Sequence, residues 1–211
     1  MIDVTPYSAA IFDLDGVITD TAPLHFQAWK ATADKLGIEF NEEVNEQLKG
    51  VDRMSSLDMI LNLGQVTVTE QEKHALADEK NTYYRQLLQQ LSNKDVLPGV
   101  REFLEHLKER RIKIGLASAS RNAPDILKSL QLFETFEHIA DPQFARSKPA
   151  PDIFLFASYG LQCHPTKCIA FEDAVSGLTA IKAAGMYAVS VGDVELAGRS
   201  DVHINSFVEC C

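Results

Sequence analysis

The sequence predicts an α/β protein: a parallel sheet with helices on both faces, interrupted after its first strand by a purely helical insertion. Three observations carry this. The chain opens on a short apolar run, Ala9-Ala10-Ile11-Phe12, that stops at Asp13-Leu14-Asp15-Gly16. From Thr21 to about residue 91 every periodic segment has helical spacing and no strand signal interrupts it. After Pro98-Gly99, short apolar runs alternate with amphipathic segments, the pattern of a parallel sheet covered on both faces.

Each element has a local reason. Residues 9–12 read as a buried strand opening into a loop. Phe26, Trp29, Ala33 and Leu36 keep helical spacing, and Gly37 supplies a stop. Further helices are expected around 43–49, 54–63 and 70–91, where Tyr84, Leu87, Leu88 and Leu91 fall at i, i+3, i+4 and i+7. Val100, Phe103, Leu104 and Leu107 mark the next helix, Ile112 to Ala117 a strand, 123–130 a helix and 137–140 a weak strand. Pro151 to Tyr159 suits a helix, Cys168 to Phe171 a strand and Ala174 to Ala184 a helix; Tyr187 to Val191 and Val202 to Ile204 close the sheet. No internal repeat or low-complexity linker is visible.

Composition narrows the function. Of 211 residues, 45% are hydrophobic and 24% charged, so the chain buries a real core and is not disordered. Lys+Arg 20 against Asp+Glu 30 gives a net charge of −10, which argues against nucleic-acid binding, since phosphate neutralisation needs clustered Lys and Arg. No run approaches the roughly 18 apolar residues of a membrane span, and the N-terminus has no basic segment leading into an apolar one. Cys163, Cys168, Cys210 and Cys211 lack structural-zinc spacing, and they read as reduced thiols in a cytoplasmic protein. Lys108-Glu109-Arg110-Arg111 reads as a solvated helix end.

Asp13 and Asp15 stand at the end of an apolar strand, where acids are expensive to keep. Being two apart, they point to one side on extended backbone, and ligands in open α/β sheets bind beyond the carboxyl ends of strands. A turn before Gly16 would explain one Asp but not both. Two more strand ends carry polar groups: Ile114-Gly115-Leu116-Ala117 runs into Ser118, and Ile169-Ala170-Phe171 into Glu172-Asp173. Between them Ser147-Lys148-Pro149 sets a cation before a helix, on backbone that proline restricts to extended conformations. Singly, Ser118 and Asp173 would pass as helix caps and Lys148 as a surface lysine; together at successive strand ends they suit phosphoryl transfer. A carboxylate nucleophile splits that transfer into two easier steps. Mg²⁺ with oxygen ligands relieves the repulsion between phosphate and carboxylates, held by Asp13, Asp173 and a main-chain carbonyl. Lys148 and the Ser118 hydroxyl steady the transferring oxygens, and Asp15 is placed to protonate the leaving oxygen.

These residues resemble the haloacid-dehalogenase-like phosphotransferases. Asp13-Leu14-Asp15-Gly16-Val17-Ile18-Thr19-Asp20-Thr21 matches the first motif of that superfamily, and Ser118, Lys148 and Glu172-Asp173 match the second, third and fourth. The resemblance implies a Rossmann-like core, 1–18 with 95–211, and a small α-helical cap, 19–94. It implies that Asp13 is the nucleophile and Asp15 the acid/base; the dehalogenase branch lacks that second Asp. The divalent cation falls among Asp13, Asp15, Glu172 and Asp173.

Within the superfamily the chain resembles the β-phosphoglucomutase subfamily. Thr19 to Trp29 is similar to that subfamily's entry into the cap, Leu48 to Leu57 to its cap substrate loop, and Ala117 to Pro124 to its second-motif loop. The usual Lys of that last loop is Arg121 here, which meets phosphate with a planar fork. The resemblance implies an isomerase of carbohydrate metabolism interconverting β-D-glucose 1-phosphate and glucose 6-phosphate through glucose 1,6-bisphosphate. Closing the cap would exclude water and position the acceptor hydroxyl. Arg53 from the cap, with Ser120, Arg121 and Asn122 of the core loop, would cradle the phosphate that is not being transferred, and Ser118 and Ala119 of that loop are also expected to bind substrate. Lys49, Gly50 and Ser56 are expected cap-side contacts. His25 is expected near Asp15 and a lysine in the closed cap, Thr21 at the hinge restraining Asp15, and Trp29 in the cap core. A capped core of this size is expected to act as a monomer. The rival functions are a Mg²⁺-dependent sugar-phosphate phosphatase of the same superfamily and a non-catalytic sugar-phosphate-binding regulator.

Overall fold

The computed structural model describes residues 2–210. Six strands form one all-parallel sheet: β1 (Ala9–Phe12), β2 (Lys113–Leu116), β3 (His138–Ile139), β4 (Cys168–Glu172), β5 (Tyr187–Val191) and β6 (Val202–Ile204). Their order is β3-β2-β1-β4-β5-β6. The chain therefore winds outward from β1 in one direction, then crosses back and winds in the other. The crevice at such a reversal, beyond the carboxyl ends of the strands, is where open α/β sheets bind ligands. Here it lies between β1 and β4.

Burial on both faces explains the apolar strands. Ala10 and Phe12 point into a core shared with α5 (Val100–Glu109) and α6 (Ala123–Ser129). Ala9 and Ile11 point the other way, into a core shared with α7 (Asp152–Gly160) and α8 (Val175–Ala183). Phe12 stacks on Phe171 with ring centroids 4.7 Å apart, and Phe103 meets Phe171 edge-on at 5.4 Å, so adjacent strand ends are locked by aromatic packing. β3, at one edge of the sheet, is two residues long, shorter than the expected 137–140.

The insertion is helical throughout: α1 (Ala22–Lys35), α2 (Glu42–Glu46), α3 (Arg53–Leu63) and α4 (Glu70–Leu88). It has its own core around Trp29, Ala33, Phe40, Leu57, Ile60 and Leu76. Side-chain caps fix the helix starts: Asn41 for α2, Asp52 for α3 and a full Thr69/Glu72 capping box for α4. The end of α4 differs from the rest, since Tyr84, Leu87 and Leu88 pack into the core of the sheet. Where the insertion leaves and rejoins the sheet, Leu97 N–H donates to Ile18 O at 2.9 Å and Thr19 Oγ1 donates to Asp95 O at 2.7 Å.

Cys163 and Cys168 carry free thiols, Cys210 is buried, and Cys211 lies outside the described residues. Among the described residues no helix is long and apolar enough to cross a membrane.

Candidate active site

Parallel register builds the site. Phe12 lies between Leu116 and Phe171, so the residues that follow all three emerge at one edge. Asp13 N–H donates to Phe171 O at 3.0 Å and Ala117 N–H to Phe12 O at 2.8 Å, which carries the pairing one residue beyond the strands. Asp13 and Glu172 leave the sheet side by side, and both are buried.

Lys148 joins them. Its ammonium donates to Asp13 Oδ1 at 2.6 Å and to Glu172 Oε2 at 2.8 Å, and stands 5.0 Å above the ring of Phe154. It follows that Lys148 is not a surface lysine; its side chain is 1% exposed. The Lys148-Pro149 peptide is cis. Burial alone would lower the ammonium pKa, but Asp13 and Glu172 outweigh it and raise it. Burial pushes the Glu172 carboxyl up to about 7, with Asp13 adding to it and Lys148 opposing. Burial, Glu172 and Asp13 together hold Asp173 well above the usual carboxylate range.

Carboxylate oxygens of Asp13, Glu172 and Asp173 lie within 4.8 Å of one another. Two glycines make that approach: a side chain at Gly177 would strike the Glu172 carboxyl, and one at Gly16, where φ is +78°, would strike Asp173. Asp15, expected in the same cation set, contributes no side chain to this cluster. Its carboxyl instead accepts the Thr21 hydroxyl, which fits the restraining part expected of Thr21. Burial and the neighbouring Asp13 raise the Asp15 pKa to about 7, against the Thr21 bond and the charges of Lys148 and Lys80. A carboxyl with that pKa exchanges a proton near neutrality, which suits acid/base work.

Neither alternative role as a helix cap holds. Ser118 Oγ accepts from Ser120 N–H at 3.0 Å, ahead of α6, and the N-cap of α8 is Ala174 rather than Asp173. Ser120 Oγ in turn accepts from Asn122 N–H at 3.2 Å, and Asn122 Nδ2 donates to Asn81 Oδ1 of α4 at 2.9 Å.

A cavity of about 440 Å³ separates the sheet edge from the insertion. Asp13, Asp15, Asp173, Ala119, Ser120, Arg121 and Asn122 line it from the sheet side; His25, Lys49, Gly50, Arg53 and Ser56 line it from the insertion. Thr21, Ser118, Lys148 and Glu172 stand behind that wall as the supporting layer, each buried. Arg53 and Arg121 face the same space, and their mutual repulsion adds to burial in lowering the Arg53 pKa. Two guanidinium groups held near each other form a ready anion cradle.

The sequence does not announce every residue of the site. Lys80, 3% exposed, sits 3.0 Å from His25 Nδ1, with its ammonium 4.4 Å from the Trp29 ring centre and 4.6 Å from that of Tyr84. Burial, then the charge of Arg53, lowers its pKa to about 7 against the pull of Asp15. Burial and the Lys80 and Arg53 charges hold His25 well below 6.5, so the ring is neutral at pH 7. The signal was present: Lys80 interrupts the buried face of α4 formed by Leu76, Ala77, Tyr84, Leu87 and Leu88. A lysine at a core-facing position is rare without a purpose. Asp52, which caps α3 and accepts the Ser147 hydroxyl, was also missed.

Comparison with known proteins agrees with this geometry. Residues 7–185 match the family model of haloacid dehalogenase-like hydrolases. The chain is 50% identical over 187 residues to the β-phosphoglucomutase of Bacillus subtilis strain 168, covering 87% of this chain and 83% of that one. It is 34% identical over 182 residues to a phosphorylated carbohydrates phosphatase of Thermotoga maritima, covering 84% and 82%. The crystal structure of the β-phosphoglucomutase of Clostridium difficile superimposes with a TM-score of 0.95 at 43% identity, over 97% of this chain and 93% of that one. The α/β core with its helical cap, the motifs at the strand ends and these matches agree: the chain belongs to the haloacid dehalogenase-like hydrolase family.

Proposed function

We propose that this protein is a β-phosphoglucomutase, an isomerase that interconverts β-D-glucose 1-phosphate and glucose 6-phosphate through a phosphoaspartate and glucose 1,6-bisphosphate. In this reading 19–94 form the cap and 1–18 with 95–211 the core, and the enzyme works as a cytoplasmic monomer. The observation that carries it is one cavity lined both by Asp13 and Asp15, which can handle the phosphate being transferred, and by the neighbouring guanidinium groups of Arg53 and Arg121, which can hold a second phosphate. Hydrolysis of a monophosphate needs only the first set. A sugar bisphosphate that must bind in both directions needs both.

Asp13 attacks phosphorus while the ester oxygen leaves with the Asp15 proton; in the second step Asp15 takes the proton of the acceptor hydroxyl and the phosphoryl group passes to that oxygen. Lys148 holds Asp13 Oδ1 and neutralises part of the charge gathered on the oxygens. Thr21 steers the Asp15 carboxyl, and the neutral His25 with Lys80 forms the cap-side wall beside it. Arg53, Ser120, Arg121 and Asn122 bind the spectator phosphate, while Lys49, Gly50 and Ser56 contact the sugar.

The cluster of Asp13, Glu172 and Asp173 fits a divalent cation: three buried carboxyl groups crowd together, burial and their mutual repulsion raise the Glu172 and Asp173 pKa values, and a cation would relieve that repulsion. Mg²⁺ held there by Asp13, Asp173 and a main-chain carbonyl, with Glu172 beside them, would screen the incoming phosphate from the carboxylates.

The test is incubation with β-glucose 1-phosphate, Mg²⁺ and a trace of glucose 1,6-bisphosphate. Glucose 6-phosphate without free phosphate supports the reading; free phosphate equal to the substrate consumed refutes it and makes the protein a phosphatase. No turnover of any sugar phosphate would identify a binding protein.

A further inference from the structure

Among the contacts between cap and core is one carboxylate that the chemistry above leaves unassigned. Asp52 divides its two oxygens. Oδ1 caps α3, accepting from Met54 N–H at 2.9 Å and Ser55 N–H at 3.1 Å. Oδ2 gathers two hydroxyls, Ser55 Oγ at 2.6 Å and, across the cavity mouth, Ser147 Oγ of the core. Both ends of that contact adjoin a functional cation. Arg53 follows Asp52 at the start of α3, and Lys148 follows Ser147. The core side is anchored separately, because Arg146 N–H donates to Asp152 Oδ2 at 3.0 Å and its guanidinium forks onto the same carboxylate. Ser147 therefore belongs to a core segment tied down next to it, while Asp52 belongs to the cap.

We propose that the Asp52–Ser147 hydrogen bond is the closure clasp of the cap: a pair of positioning residues that sets Arg53 over the core and keeps water from the phosphoaspartate. The carboxylate suits this part, since a hydrogen bond to a charged acceptor is stronger than one between neutral groups. It reforms at each closure without disturbing the α3 cap, which uses the other oxygen. The inference rests on the mutase reading, in which transfer succeeds only if the acceptor hydroxyl outcompetes water.

Ser147→Ala removes the clasp and leaves the α3 cap intact; Ser147→Thr restores a hydroxyl at the same place. With β-glucose 1-phosphate, Ser147→Ala should lower the ratio of glucose 6-phosphate formed to phosphate released by about tenfold and raise KM more than it lowers kcat. Hydrolysis of acetyl phosphate should persist, and Ser147→Thr should recover the ratio. Hydrogen exchange of backbone amides in 49–56 should quicken in Ser147→Ala alone. An unchanged ratio and unchanged exchange would overturn the clasp. So would an equal fall in sugar transfer and acetyl phosphate hydrolysis, which would mean that Ser147 serves the chemical step through Lys148. Stoichiometric phosphate release by the wild-type enzyme would refute the mutase reading; the exchange measurement would still decide whether the clasp holds the cap.

Discussion

Replacing Lys80 by Met should make the protein more stable, by an amount that depends on pH. In the fold the ammonium is buried against Trp29, Tyr84 and His25, with no carboxylate bonded to it. A lysine pKa that falls from 10.5 to about 7 on folding costs about 5 kcal/mol while the group stays protonated in both states. The His25 contact and the two aromatic faces go with the amine, an offset of about 2 kcal/mol, so the net gain should be about 3 kcal/mol at pH 6. The sign follows from proton counting. Between the two pKa values the unfolded chain binds more protons than the native one, so wild-type stability rises with pH in that window. Below about pH 7 the full penalty is present, and above 10.5 it is gone. Urea unfolding of wild type and Lys80→Met at pH 6, 8 and 10 would show a difference that shrinks steadily as pH rises. A Met variant equally destabilised at all three values would mean that the charge is well satisfied in the fold, and the reasoning fails. A stability gain with lost mutase activity would mark Lys80 as a residue kept for the site at the fold's expense.

Other substitutions separate the roles. Asp15→Asn should slow transfer to and from the sugar by about 10³-fold while leaving Mg²⁺ affinity intact in calorimetry; parallel losses of both would contradict the division of labour between Asp13 and Asp15. Arg53→Ala should raise KM for the sugar phosphate about 10–100-fold, the worth of a charge-assisted hydrogen bond, with hydrolysis of acetyl phosphate spared; an equal loss in that small donor would place Arg53 in the chemical step. Gly177→Ala puts a methyl group against the Glu172 carboxyl and should weaken Mg²⁺ binding by about 10–100-fold, even though alanine is the better helix former. Unaltered affinity would show that Glu172 can retreat without disturbing Asp13 and Asp173.

The sheet was legible because burial on both faces writes strands as plain apolar runs; β5 and β6 fall where the sequence puts them, and the other strands within a residue or two. The strand-end acids were legible for the opposite reason, since nothing apolar explains Asp13, Asp15, Glu172 and Asp173 at such places. Lys148 could be named but not located: a lone lysine before proline reads the same on a surface as in a core, and only the folded chain shows it wedged between Asp13 and Glu172. Lys80 was hidden because the periodicity of α4 was followed through its apolar residues, and a lysine on the same stripe is read past. Asp52 was hidden for a different reason. Its sequence position explains a helix cap, and its second oxygen, turned to Ser147, depends on a contact spanning 95 positions that no local pattern records. The net charge of −10 gave no hint of a phosphate substrate, because in the proposed reaction Arg53, Arg121 and Lys148 would act by placement, not by number.

A mutase differs from a phosphatase in sending the phosphoryl group on Asp13 to sugar and not to water. The most direct measurement is a single turnover with ³²P-labelled glucose 1,6-bisphosphate, quenched in acid before and after addition of unlabelled β-glucose 1-phosphate. For a mutase, label should lie on the peptide containing Asp13 at first and then pass into sugar phosphate. Label chased into free phosphate, or found on any residue other than Asp13, would contradict the mutase reading.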